Sequence, residues 1–237
     1  MIIPTRPQLP DAGPREEVSK SLLDMARQIN EADMKRKRLL LADTTRFGVE
    51  PNVTEFQDDG FLKSFGKARQ YKDIILPAGN LRPGPSSPSY VVFLGNIYGA
   101  RFDDAVTDEV YGTFELQHDY YEGSDMYLHI HWSPDTAGTG NVVWGVEYTF
   151  AALGQVFPAP TVATVTWPAP GVLNQHVAHN VATIPGFGLQ IGAQCAFRLY
   201  RLGGDAADTY TGNAFLHTVG VHYAADTLGS RGIFTKD

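Results

Sequence analysis

From residue 90 onward the chain is a succession of short β-forming runs, each closed by a cluster of Gly, Pro, Asp or Asn, and few folds accept that spacing. The runs are Tyr90 to Leu94, Tyr111 to Gln117, Met126 to Trp132, Val142 to Ala151, Val162 to Trp167, Val177 to Ile184, Gln190 to Leu202 and Ala214 to Tyr223. Such a series predicts an all-β chain, an antiparallel two-sheet β-sandwich of jelly-roll type. Alternation within the runs says which side chains face inward. Met126, Leu128, Ile130 and Trp132 oppose Tyr127, His129 and His131 in parity, as Trp144, Val146, Tyr148 and Phe150 oppose Gly145, Glu147 and Thr149. Successive strand side chains point to opposite faces, so these apolar sets are the expected core. Cys195 shares a parity with Phe197 and Leu199 and is the single cysteine. It reads as a packed small hydrophobe rather than a nucleophile, and no intrachain disulfide can form.

The N-terminal part follows a different rule. Pro4, Pro7, Pro10 and Pro14 hold the first residues extended, since each fixes its own φ and biases its predecessor away from helix. After them Val18, Leu22, Met25 and Ile29 recur at helical spacing, with Glu16 and Glu17 placed in the first turn. A helix this short is marginal alone in water, so its stripe needs a surface to dock on, either its own sandwich or another subunit. Lys35-Arg36-Lys37-Arg38 follows as a solvated, dipole-complementing end or a contact with an acidic neighbour. The expected organisation is therefore an extended Pro-rich lead and helical docking arm over 1–46, a transition and loop over 47–89, and the sandwich over 90–237.

Charge narrows the partners. The chain has 19 Lys/Arg against 26 Asp/Glu, a net charge of −7, where a phosphate-binding surface needs a basic footprint; no specific nucleic acid is expected. Residues 1–46 hold nine of those basic residues and seven of the acidic ones, so the acidity lies in the body. No run of about 18 apolar residues reaches bilayer length, and the Pro-rich start lacks the apolar stretch of a signal peptide; the expectation is assembly in the cytoplasm with no membrane contact.

The strongest candidate for chemistry is Gly123, five residues, then His129-Ile130-His131, whose histidines at i and i+2 share a strand face and can share a metal. The spacing resembles the opening of the first cupin motif. A cupin would place a glutamate three or four residues on, where this chain has Asp135 in a turn-like segment, and neither His176 nor His179 stands behind a Pro-x-Gly turn. A metal centre needs at least three convergent ligands, so the pair reads as a satisfied, half-exposed pair on a sheet face and no cofactor is expected. On parity, His217 and His222 cannot both join that pair on one face. Asp103, Asp104, Asp108 and Glu109 read as a solvated acidic loop. Gly-x-Ser-x-Gly, Walker and dinucleotide fingerprints are missing, and the chain is not expected to be an enzyme.

Two segments carry a family resemblance. Glu122-Gly123-Ser124-Asp125 running into Leu128-His129-Ile130-His131-Trp132, and Val221-His222-Tyr223 followed by Asp226-Thr227-Leu228-Gly229-Ser230-Arg231, resemble tailed-bacteriophage and prophage virion structural proteins. The likeness covers about residues 70 to 237. It implies a non-enzymatic virion module, a neck or tail (collar) accessory assembled in the host cytoplasm. The likeness does not cover the arm; the extended lead and the helix that cannot stand alone add the expectation of a homo-oligomer, a trimer or a ring about the portal or tail axis, whose residues 1–46 dock on other virion proteins through Val18, Leu22, Met25 and Ile29. Two alternatives stand beside it. One is a carbohydrate-binding module of a receptor-binding fibre, with Tyr120, Tyr121 and Trp132 as candidate platforms; the other is a cupin-like metal-binding protein using His129 and His131.

Overall fold

Turn chemistry decides where each strand stops, and a computed structural model, which describes residues 20, 22–32 and 44–236, contains fourteen strands. They are β1 (Thr44–Val49), β2 (Asn52–Gln57), β3 (Leu62–Ser64), β4 (Gln70–Pro77), β5 (Arg82–Pro83), β6 (Ser89–Leu94) and β7 (Ile97–Phe102). The series continues with β8 (Thr107–Glu115), β9 (Met126–Pro134), β10 (Asn141–Ala151), β11 (Thr161–Pro168), β12 (Val177–Ile184), β13 (Gln194–Leu202) and β14 (Ala214–Ala225). Each of the eight runs read from the sequence falls on a strand.

The chain divides into two units, residues 1–47 with 55–61 and residues 48–54 with 62–237. The larger unit is the sandwich. One sheet runs β11-β10-β13-β8-β5, the other β12-β9-β14-β7-β6, with β4 paired to β14 beyond β7. From β7 to β14 the chain repeatedly crosses between sheets, and the resulting orders, β7-β14-β9-β12 facing β8-β13-β10-β11, are those of a jelly roll. Segment 47–89, read as transition and loop, supplies β4, which pairs with β14 from Gln70 to Pro77.

Inward parity fills the space between the sheets as expected. Met126, Leu128, Ile130 and Trp132 of β9 face Trp144 and Val146 of β10 and Cys195 and Leu199 of β13, all without exposed surface. Burying side chains of this size contributes about 1.5–3 kcal/mol each. Burial also pushes the Cys195 thiol well up, so it stays protonated and inert.

In the smaller unit, residues 22–32 are helical. Arg27 Nε lies 3.5 Å from Glu31 Oε1 along the helix, and Leu22, Leu23, Met25 and Ile29 are more than half exposed. Val18 and residues 35–38 lie outside the described residues. Arg46 and Glu55 form a 2.8 Å ion pair in the same unit.

Candidate functional site

Ladder register determines which polar side chains share an outer face. On the outer face of the sheet holding β9, β14 and β4, His129 pairs with Gly220, Tyr127 with His222, and His222 in turn with Asp73. Gly220 matters here, because a Cβ on it would sit 2.5 Å from His129 Cε1 and Nε2. The missing side chain leaves room for the ring.

The parity argument separating His217 from His222 fails at a β-bulge. Register runs Leu216 to Trp132 and then Thr218 to His131, so His217 is an extra residue on β14. Before it the even residues Ala214 and Leu216 are buried; after it the odd residues Val219, Val221 and Tyr223 are. Both histidines consequently reach the outer side, where His176, from the loop before β12, joins them. Five of the seven histidines, His129, His131, His176, His217 and His222, form one connected row.

The contacts along the row are specific. His129 stacks on His222 with ring centroids 4.1 Å apart and meets His131 edge-on at 5.1 Å. His131 Nδ1 is 2.8 Å from His176 Nε2, and His217 Nε2 is 2.8 Å from Ser133 Oγ. His222 Nε2 is 2.9 Å from Asp73 Oδ1. All of these groups except His222 border a groove of about 430 Å³. Burial first, and then the neighbouring His222, lowers the pKa of His129; burial and His176 do the same for His131; burial, His176 and His131 lower His217. A neutral imidazole keeps a lone pair available.

His129 is 8% exposed, not the half-exposed residue the sequence suggested. Its Nδ1 is buried beside the backbone of Tyr127 without reaching good hydrogen-bond geometry. Asp73, His129 and His222 each bring one ligand-type atom, all within 4.8 Å of one another. The expected pair thus meets different partners: His129 the Asp73–His222 couple, and His131 the His176 ring. Asp135, the acid nearest the cupin position, is engaged elsewhere, accepting from the backbone and side-chain N–H of Asn213 at 2.7 and 2.6 Å. Asp73 was missed because it lies in the segment read as transition; only the pairing of β4 brings it in.

The opposite outer face holds a larger cleft of about 760 Å³. One row crosses it through Glu147, Arg198, Tyr111 and Arg82, on β10, β13, β8 and β5. Arg198 pairs with Glu109, lies 3.6 Å from Glu147 and covers the Tyr200 ring at 4.4 Å. Tyr111 donates its hydroxyl to Glu109 at 3.2 Å.

Two further readings need correction. Asp108 and Glu109 are buried rather than solvated; Asp108 accepts the Asp103 backbone N–H at 2.7 Å and Glu109 neutralises Arg198. Of the glycan platforms, Tyr120 and Trp132 have no exposed surface, and the Tyr121 ring is covered by the Arg69 guanidinium at 3.6 Å. Segments 122–132 and 221–231 meet on the β9–β14 ladder, where Val221 pairs with Leu128, His222 with Tyr127 and Tyr223 with Met126; beside it Tyr120 bridges to Ala225, Tyr121 N–H donates to the Ala224 carbonyl at 2.7 Å, and Asp226 N–H donates to the Asp119 carbonyl at 3.2 Å.

No family model matches the chain, and no curated protein sequence matches it. Among solved structures, the chain is similar to the CBM22-2 xylan-binding domain from Paenibacillus barcinonensis Xyn10C, at 13% identity and TM-score 0.38, over 63% of this chain and 98% of that one. It is also similar to the Podospora anserina GH26-CBM35 β-(1,4)-mannanase, at 10% identity and TM-score 0.34, covering 68% of this chain and 29% of that one. A third is a family two carbohydrate esterase from Cellvibrio japonicus, at 8% identity and TM-score 0.33, covering 69% and 37%. The chain thus spans well under half the length of the mannanase and the esterase.

Proposed function

We propose that this chain is a non-enzymatic structural subunit of a tailed-phage particle, a neck or tail accessory that assembles as a homo-oligomer and docks on neighbouring subunits through its N-terminal arm. The observation carrying the reading is the helix over residues 22–32, whose Leu22, Leu23, Met25 and Ile29 all face solvent. A helix of that length gains most of its stability from burying its apolar stripe, so it calls for a partner surface. The sequence resemblance, carried by segments that build scaffold, supports the same reading.

Light scattering on the full chain tests the assembly. A discrete trimer or ring is expected, and a monomer at every concentration reached would remove the physical basis of the proposal.

The cleft on the β11-β10-β13-β8-β5 face favours a second reading, a glycan-binding surface. It combines aromatic Tyr111 with fixed polar groups on Glu147 and Arg198, the mixture that sugar recognition uses. Binding on a broad glycan array that vanishes in Tyr111→Ala would favour it; an array without signal would dismiss it.

A further inference from the structure

We propose that Asp73, His129 and His222 form a binding site for one divalent transition-metal ion of the zinc or cobalt class, on the outer face shared by β9, β14 and β4. Three adjacent strands each give one ligand, and their register places the three side chains together: Asp73 directly opposite His222, and His129 one diagonal step away across Gly220. The site is independent of the virion reading and of the arm.

Distances already approach what an ion needs. With bonds of about 2.0–2.1 Å, neighbouring ligand atoms around a tetrahedral ion lie about 3.3 Å apart. His222 Nε2 and Asp73 Oδ1 are 2.9 Å apart, and the set closes within 4.8 Å. The remaining adjustment falls on movable groups. The His222 and His129 rings lie 21° from parallel, so the His222 ring must turn out of that stack for both lone pairs to meet one ion. Its side chain is 45% exposed and that of Asp73 36%, which leaves both free to turn, while the His129 ring is buried closely over Gly220.

The donors define the class of ion. Two imidazoles and a carboxylate suit zinc, cobalt, nickel or copper, whereas magnesium and calcium take all-oxygen sets. The buried His129 Nδ1, lacking a well-formed hydrogen bond, is an unusual group to leave on a sheet face, since buried polar atoms are normally satisfied. Ligation of either ring nitrogen would set the tautomer of the other. Three protein ligands beside an open groove leave a fourth position for water or for a donor from a second molecule.

Cobalt(II) titration of the untagged, full-length chain, followed by its visible absorption and by displacement with zinc, tests the site. One cobalt per chain is expected, displaced by zinc. Asp73→Asn and His222→Gln, both at half-exposed positions, should each weaken binding by about tenfold or more, with unfolding in chelator unchanged. His129→Gln should abolish binding, and His131→Gln/His176→Gln should keep it. The proposal is overturned by a chain that takes up neither metal, by uptake undiminished in both Asp73→Asn and His222→Gln, or by uptake lost only in His131→Gln/His176→Gln.

Discussion

Arg201 has no exposed surface, and everything around it answers its charge. Asp208 binds it at two points, 3.0 Å from Nε and 2.8 Å from Nη2, and the carbonyls of Phe102, Tyr210 and Gly212 accept its remaining N–H groups at 3.3, 3.0 and 2.7 Å. Removing one member strands a buried charge, so Asp208→Ala should cost about 3–5 kcal/mol in urea unfolding. Arg201→Met/Asp208→Leu should recover only part of that loss, because three carbonyls lose their donor; full recovery would show that the ion pair alone sets the cost. Gly145 lies under the Tyr200 ring, and a Cβ there would come within 2.3 Å of it, so Gly145→Val should lower stability by about 1–3 kcal/mol in the same assay.

His179 gives a pH dependence at the same scale. Trp132 Nε1–H donates to His179 Nδ1 at 3.2 Å, which requires a neutral ring protonated on Nε2. Burial lowers its pKa below the ordinary value. A group with a depressed folded pKa binds fewer protons folded than unfolded, so its stabilisation is complete above about pH 6.5 and is lost as pH falls below that toward the folded value. The urea midpoint of the wild type should drop more steeply than that of His179→Gln over this window; parallel curves would contradict the assignment. Core membership of Trp132, Cys195 and Leu199 was legible from parity alone, which already counted against Trp132 as a glycan platform, but the burial of Tyr120 was not. Tyr120 donates to the Ser124 carbonyl at 2.5 Å from a fully buried position, and burial raises its pKa to about 12. Nothing in the local pattern separates such a buried tyrosine from an exposed one.

At the scale of elements, the bulge at His217 decides what the outer face contains. A parity reading assumes an unbroken ladder, and one extra residue reverses every side chain beyond it. Deleting His217 should therefore close the ladder into one unbroken alternation with Ala214, Leu216, Val219, Val221 and Tyr223 all still inward, and circular dichroism should report a folded chain. His217→Ser keeps the bulge and should fold as well; a deletion variant that does not fold would show that the ladder cannot close without the extra residue. Strand β7 had a legible sign that went unused, the Gly95-Asn96 pair joining it to β6, with Gly95 at φ +57° as such a hairpin turn requires. Strand β4 had none. Most of its residues are exposed and it ends in Pro77, so only its partner β14 defines it, and Asp73 stayed hidden with it.

For the whole molecule, the jelly roll was readable because its signal is collective: many short runs with turns between them admit few arrangements. Function was less readable, because sites here are assembled from strands distant in sequence. His129 and Asp73 are neighbours in space and 56 residues apart in the chain. What remains is a sandwich with a histidine groove on one face, a charged cleft on the other, and a helix with an uncovered apolar stripe. The central claim is membership of a particle, and immunogold electron microscopy addresses it most directly, using density-purified particles from cells carrying the genome that encodes the chain. Gold at the neck or tail of particles with the wild-type chain, and its loss with Leu22→Glu/Ile29→Glu, is the predicted result; particles free of gold while the protein stays in the particle-free fraction would contradict the account.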